Sequence, residues 1–290
     1  MPNEITFTIA DLPVTLQRGR SIPDVNAPPA YAPFLSQDRG DIHIDLSIEE
    51  TPCANGELAF DSSPIWRLHR LKSGSLFRLY DGYPELRRSL FVPNDNGSSR
   101  LAFLSSNRDP FVGPSLELLM IVQLARRRGV ILHGCGIAVA GRGIVLAGES
   151  GAGKSTLSRL GAKRKGVEIL SDDRVIVRRQ NGSFFLYGTP WHGDEAFAAR
   201  GGVPLERIFF IRHGHWNAVR TLPAAGTVRE MLKCSFPPLW DVDGTAAALE
   251  LFHNLASSLP CAELAFVPDE TAIDFVLKES RLEAAPTQSK

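Results

Sequence analysis

Residues Gly148–Ser155 read Gly-Glu-Ser-Gly-Ala-Gly-Lys-Ser, a complete phosphate-binding loop of the form G-x-x-x-x-G-K-[ST]. Such a loop constrains the fold because it works only between a strand that ends and a helix that begins. Gly148, Gly151 and Gly153 let the backbone curl so that successive N–H groups, from Glu149, Ser150 and Ala152 through to Thr156, converge on phosphate oxygens. Lys154 adds a point charge toward the outer phosphates, and the Ser155 hydroxyl is suited to Mg²⁺. The flanks agree. Gly143–Ala147 is an apolar run that reads as a buried strand. From Ser155 to Leu160, Leu157 and Leu160 carry a helical spacing, and a helix N-terminus favours anions.

The rest of the composition narrows the class. Lys+Arg and Asp+Glu both count 32, so there is no basic excess to neutralise nucleic-acid phosphates. Hydrophobic residues make up 43%, enough for a sizeable core in 290 residues. Cys53, Cys135, Cys234 and Cys261 lie far apart without metal-site spacing, which predicts reduced, mostly buried thiols and a cytoplasmic setting. Glu4 and Asp11 stand where a signal peptide needs positive charge and an apolar run. The longest apolar stretch, Val130–Gly148, is interrupted by His133, Arg142 and glycines, so it predicts a strand pair and not a membrane span.

The pattern changes along the chain. Ile5–Ile9, Ile42–Leu46 and Leu76–Tyr80 alternate apolar and polar residues, as half-buried strands do. Turn-rich segments separate them, with four prolines in Ser21–Pro33 and an Asn-Asp-Asn-Gly cluster in Pro93–Ser99. Residues 1–112 therefore read as a β-rich N-terminal region, and 113–290 as an α/β domain that carries the loop. The leucines from Leu116 to Leu124 predict a helix ending at Arg126-Arg-Arg-Gly129, with Gly129 as a left-handed cap. Val130–Ala140, the turn Gly141-Arg-Gly143 and the strand into the loop follow. Beyond the loop the pattern predicts a strand at Val167–Leu170 and a hairpin around Asn181-Gly182. Strands are expected at Ile208–Ile211 and Glu263–Phe266, and helices at Thr227–Lys233, Ala246–Ser258 and Asp269–Leu277.

Two further features carry chemistry. The strand after the loop helix runs into Ser171-Asp172-Asp173, and a carboxylate at a strand's end is what a nucleotide site sets beside Mg²⁺. Neighbouring strand residues point to opposite faces, so both aspartates serve one site only if the chain is already turning. One would then hold the metal and the other act as base. A pairing of one carboxylate with Arg174 or Arg178 is the plainer alternative. His133 stands in an apolar strand, where a core role competes with a catalytic one. Trp191 and His192 fit a turn with a buried aromatic as well as the mouth of a site.

Three segments taken together, Leu132-His-Gly-Cys-Gly-Ile137, Gly148–Thr156 and Ile169-Leu-Ser-Asp-Asp-Arg-Val175, resemble the catalytic domain of HPr kinase/phosphorylase. Gly-Thr-Pro-Trp-His-Gly193 and Glu263–Pro268 look like the relatives found beside peptide-modification genes. The resemblance implies an α/β P-loop kinase core of the HPr kinase and phosphoenolpyruvate carboxykinase type, with ATP and Mg²⁺ as cofactors. It implies transfer of a phosphoryl group to a serine of a protein or small peptide, with no nucleic-acid or membrane partner, and leaves a homo-oligomer open. Asp172 would take the serine proton, His133 would neighbour and orient Asp172, and Lys154 would bind phosphate. Ser155 and Asp173 would hold Mg²⁺. The glutamate the regulatory enzymes place before Arg-Gly is absent from Ala199-Arg200-Gly201, with Asp194 or Glu195 as substitutes. A kinase for free serine, a nucleotide-binding regulatory module without transfer, and ADP or pyrophosphate as donor remain open readings.

Overall fold

The computed structural model describes residues 4–38, 40, 42–48, 56–80, 85–104 and 108–282. Cys53 lies outside the described residues. The chain is a mixed α/β protein with two large sheets and divides into two units, Met1–Val122 and Gln123–Lys290. The division falls inside helix α1, Ser115–Ala125, rather than ahead of it.

Eight described strands make the sheet of the first unit. They are β1 (Glu4–Ile9), β2 (Leu12–Arg18), β3 (Ile42–Ile48), β4 (Glu57–Ser62), β5 (Trp66–Leu71), β6 (Gly74–Tyr80), β7 (Leu86–Pro93) and β8 (Ser99–Phe103). Their order is β1-β2-β3-β8-β7-β6-β5-β4. The turn from β1 to β2 holds Ala10 and Asp11, both at positive φ, which matches the twist of a two-residue hairpin. In β3, Ile42, Ile44 and Leu46 face inward while His43 and Asp45 face out, the period of two that the sequence carries. Phe60, Leu68, Phe77, Leu90, Leu101 and Leu46 stand opposite one another across six strands and tie the sheet together on its apolar face. Phe7, Tyr31 and Phe111 pack as an aromatic group, with Tyr31 carried by a 3-10 turn at Pro29–Phe34.

The second unit contains β9 (Gly129–Val139), β10 (Arg142–Ala147), α2 (Lys154–Ala162), β11 (Val167–Ser171), β12 (Arg174–Gln180), β13 (Ser183–Tyr187), β14 (Gly202–His213) and β15 (Ala218–Thr221). It ends with α3 (Ala224–Lys233), α4 (Val242–Ser258), β16 (Cys261–Phe266) and α5 (Thr271–Glu279). Strand β10 lies between β9, antiparallel, and β14, parallel, and β14 pairs in parallel with β16. Both faces of β10 are covered. Ile144 and Leu146 pack with Leu157 of α2 and Ile273 and Val276 of α5. Val145 and Ala147 pack with Met231 of α3 and Phe252 and Leu255 of α4. That is why the sequence there is continuously apolar instead of alternating. The hairpins at Ala140-Gly141 and Asn181-Gly182 use two left-handed residues each.

One cap differs from expectation. The left-handed residue after α1 is Arg128, φ 55°, and Gly129 already begins β9. A Cβ at Gly129 would meet the Arg178 and Leu124 side chains, so the glycine answers a packing demand. No helix among the described residues is long and apolar enough to cross a membrane.

Phe209 of β14 is fully buried beneath the loop region. Phe209→Ala is expected to cost about 3–5 kcal/mol of unfolding free energy. Urea denaturation followed by near-ultraviolet circular dichroism measures it, and a change below about 1 kcal/mol contradicts this packing.

Candidate functional site

The site forms where strand ends meet. Ala147 at the end of β10 is paired with Gly134 of β9, and His133 is paired with Arg174 at the start of β12. Because β14 and β16 run parallel to β10, His213 and Phe266 finish at the same end. The register thus gathers His133, Asp173, Arg174, His213 and the Gly148–Ser155 loop from segments far apart in sequence. Backbone hydrogen bonds lock the arrangement. Gly148 N–H donates to His133 O (3.1 Å), Gly134 N–H to Asp173 O (3.0 Å), and His133 N–H to Cys234 O (2.7 Å).

The loop connects β10 to α2, as its motif requires. Gly151 and Gly153 have φ of 80° and 103°, in the left-handed range. Gly153 is the N-cap of α2, and no side chain caps the first turn. The orphan N–H groups of that turn are therefore left to solvent or an anion. Glu149, Ser150 and Gly151 are exposed, Ala152, Ser155 and Thr156 half-buried, and Lys154 buried. Lys154 Nζ donates to Gly148 O (3.1 Å) and Glu149 O (2.9 Å), folding back over the loop. Burial pulls its ammonium below the usual lysine range, against the opposing charge of Asp173.

The two aspartates are not equivalent. Asp172 is buried, and its carboxylate accepts N–H groups from Gly193 (3.0 Å) and Glu195 (3.0 Å). It fastens the 193–195 turn. Asp173 is the partner of His133, with Nε2 to Oδ1 at 2.9 Å, and also of Arg174, with Nη1 to Oδ2 at 2.6 Å. The expectation that His133 neighbours and orients Asp172 is thus corrected: the histidine reaches Asp173. The cause is the β9–β12 register, which sets His133 directly beside the residue following Asp173. Burial alone would push the Asp173 carboxyl up. The hydrogen bond from His133 and the charge of Arg174 outweigh it and hold the group below the usual carboxylate range. Asp173 is also the aspartate whose charge acts on Lys154.

That shift has a consequence for stability. A depressed native pKa adds stability above the unfolded value, near 4, which is lost as pH falls through the native value. The wild type is expected to melt above Asp173→Asn at pH 7, with the gap closing as the pH drops below about 4. A gap that persists unchanged to pH 2 contradicts the ion pair.

Several contributors carry no sequence signal of their own. Phe236 lies under the Arg174 guanidinium, with its ring centroid 4.5 Å from the guanidinium carbon and 6.4 Å from the centroid of the His133 ring. His213 Nε2 lies 2.9 Å from Gly151 O and so grips the tip of the loop. Thr189 Oγ1 donates to Arg174 O (2.7 Å) and holds the start of the following segment, where Trp191 is half-buried and His192 exposed. Of the two substitutes for the absent glutamate, Glu195 is engaged by Arg159 of α2 (2.9 Å), while Asp194 is exposed.

No group of three or more His, Cys, Asp or Glu among the described residues could hold a metal by itself. Mg²⁺ does not require one, because it keeps waters and takes phosphate oxygens together with one or two protein oxygens. The half-buried Ser155 hydroxyl fits that role, whereas the two oxygens of Asp173 are engaged by His133 and Arg174. Burial pushes the described thiols up, Cys135 far and Cys234 and Cys261 up to about 12, away from the thiolate form that binds metal.

No protein-family model matches the chain, and no curated protein matches it. Among solved structures, it is similar to the HPr(Ser) kinase/phosphatase from Coxiella burnetii, at 13% identity and a TM-score of 0.31. The match covers 52% of this chain and 96% of that one.

Proposed function

We propose that the protein is a Mg²⁺-dependent phosphotransferase that takes the terminal phosphoryl group of a nucleoside triphosphate and passes it to a serine hydroxyl of a protein or peptide. The observation that carries this reading is the His133–Asp173 pair standing at the strand end from which the Gly148–Ser155 loop departs. The loop amides, the open first turn of α2 and Lys154 would receive the phosphates. The Ser155 hydroxyl would hold Mg²⁺ together with the phosphate oxygens. The metal supplies charge neutralisation at the transferred group.

Asp173, expected from the resemblance to hold Mg²⁺, would instead take the part expected of Asp172 and accept the proton of the attacking hydroxyl, with His133 orienting its carboxylate. A carboxylate held ionised suits this reaction. The transition state is loose, proton transfer comes late, and most of the rate comes from positioning and from stabilising charge. Asp172 would keep the 193–195 turn against the site rather than act on the substrate. The serine acceptor rests on the resemblance of Leu132–Ile137, Gly148–Thr156 and Ile169–Val175 to the HPr kinase group.

The test is incubation with Mg²⁺, γ-labelled ATP and a panel of HPr, peptides encoded by neighbouring genes, and free serine. Label on a serine, absent with Lys154→Ala, is the expected result. Label on free serine alone makes the protein a small-molecule kinase. Tight Mg-ATP binding without transfer to any acceptor favours the regulatory reading.

A further inference from the structure

The loop reads phosphates, and phosphates alone do not tell a nucleotide from pyrophosphate or a polyphosphate. The turn beside it contains a feature that does. Between β14 and β15 the chain runs Gly214-His-Trp-Asn217. His213, the last residue of β14, sits 2.9 Å from the loop carbonyl of Gly151, and its ring lies 5.8 Å from that of Phe266. Phe266 in turn closes on the loop: a Cβ at Gly153 would come within 2.4 Å of its ring. The turn is therefore built onto the phosphate loop.

The same turn is anchored on its other side. Gly214 N–H donates to Phe266 O (2.9 Å). The Asn217 side chain accepts from Val267 N–H (2.9 Å) and donates to Thr271 Oγ1 at the start of α5 (2.9 Å). What this fixed turn displays is Trp216, 70% exposed, the only aromatic among the large exposed apolar side chains of the described residues. The His215 ring lies 6.4 Å from it. Three residues of extended chain, at about 3.3 Å each, keep Trp216 within roughly 10 Å of the residue that grips the loop. That is the span of a nucleoside. An indole this exposed leaves apolar area in water, and a base has the flat apolar face to cover it.

We propose that Trp216 is the stacking surface for the base of the bound nucleotide. The ligand of the loop is then a nucleoside phosphate rather than pyrophosphate or a polyphosphate. This rests on the reading of Gly148–Ser155 as the phosphate site. Base-on-aromatic stacking tolerates any base, so the surface adds affinity and sets the donor class without selecting adenine strictly.

Calorimetric titration of the full chain with Mg-ATP and with Mg-tripolyphosphate tests it. Wild type is expected to bind ATP more tightly. Trp216→Ala should weaken ATP binding about tenfold, leave tripolyphosphate binding unchanged, and keep the melting temperature. Trp216→Phe should retain part of the affinity. ATP affinity unchanged in Trp216→Ala, or wild-type ATP binding no tighter than tripolyphosphate, overturns the proposal. Lys154→Ala separates the two layers of inference, because it should weaken both ligands. If it weakens neither, the phosphate-site reading itself fails.

Discussion

Asp173→Asn is expected to lower phosphoryl transfer by about a thousandfold, with the fold retained, because a general base contributes roughly 10²–10⁴ to such a step. Asparagine keeps the shape of the side chain and loses the charge that faces His133, Arg174 and Lys154. The loss should fall on kcat, since the carboxylate acts mainly when the hydroxyl proton moves. Asp172→Asn provides the contrast. It weakens the two N–H contacts that hold Gly193 and Glu195, so its effect should be seen first in stability. Single-turnover kinetics and thermal melts on both variants separate the roles. Equal losses of kcat in the two, with equal melting temperatures, would contradict the assignment of the base to Asp173.

Gly153→Ala is the second large effect. At φ 103° any side chain is strained, at a cost of about 1–3 kcal/mol. Its Cβ would also fall 2.4 Å from Phe266 Cζ, a ring buried in the core beneath the loop. Either the loop or the ring must move. The expected outcome is loss of measurable Mg-ATP binding together with a clear fall in melting temperature. Adding Phe266→Leu should relieve the clash and recover part of the stability. It should not restore binding, because the backbone strain stays. Calorimetry and melts on the single and double variants measure both quantities. Binding retained in Gly153→Ala would mean that this loop does not wrap the phosphates.

What the sequence made legible follows from which interactions are local. Strand β10, the loop and α2 were readable because a strand buried on both faces is continuously apolar and the loop's glycines are forced by its backbone. The Asn181-Gly182 hairpin was readable for the same local reason. In the first unit, β1, β3 and β6 were readable and β5 and β7 were not. Arg67 and Arg78 stand opposite one another on the polar face, and Arg88 is buried within β7, so the alternation is blurred. Which aspartate meets His133 was hidden, because it depends on the β9–β12 register, a pairing between distant segments. The grip of His213 on Gly151 and the position of Phe236 under Arg174 are likewise products of tertiary contact.

If the Gly148–Ser155 loop and the His133–Asp173 pair form one site for phosphoryl transfer, removing the Asp173 charge slows the transfer step itself. The most direct measurement is single-turnover transfer from Mg²⁺ and γ-labelled ATP to the best acceptor in the panel, comparing wild type with Asp173→Asn at equal nucleotide occupancy. The expected result is label on a serine with wild type and about a thousandfold slower transfer with the variant. Transfer at the wild-type rate by Asp173→Asn, with ATP equally bound, would contradict it.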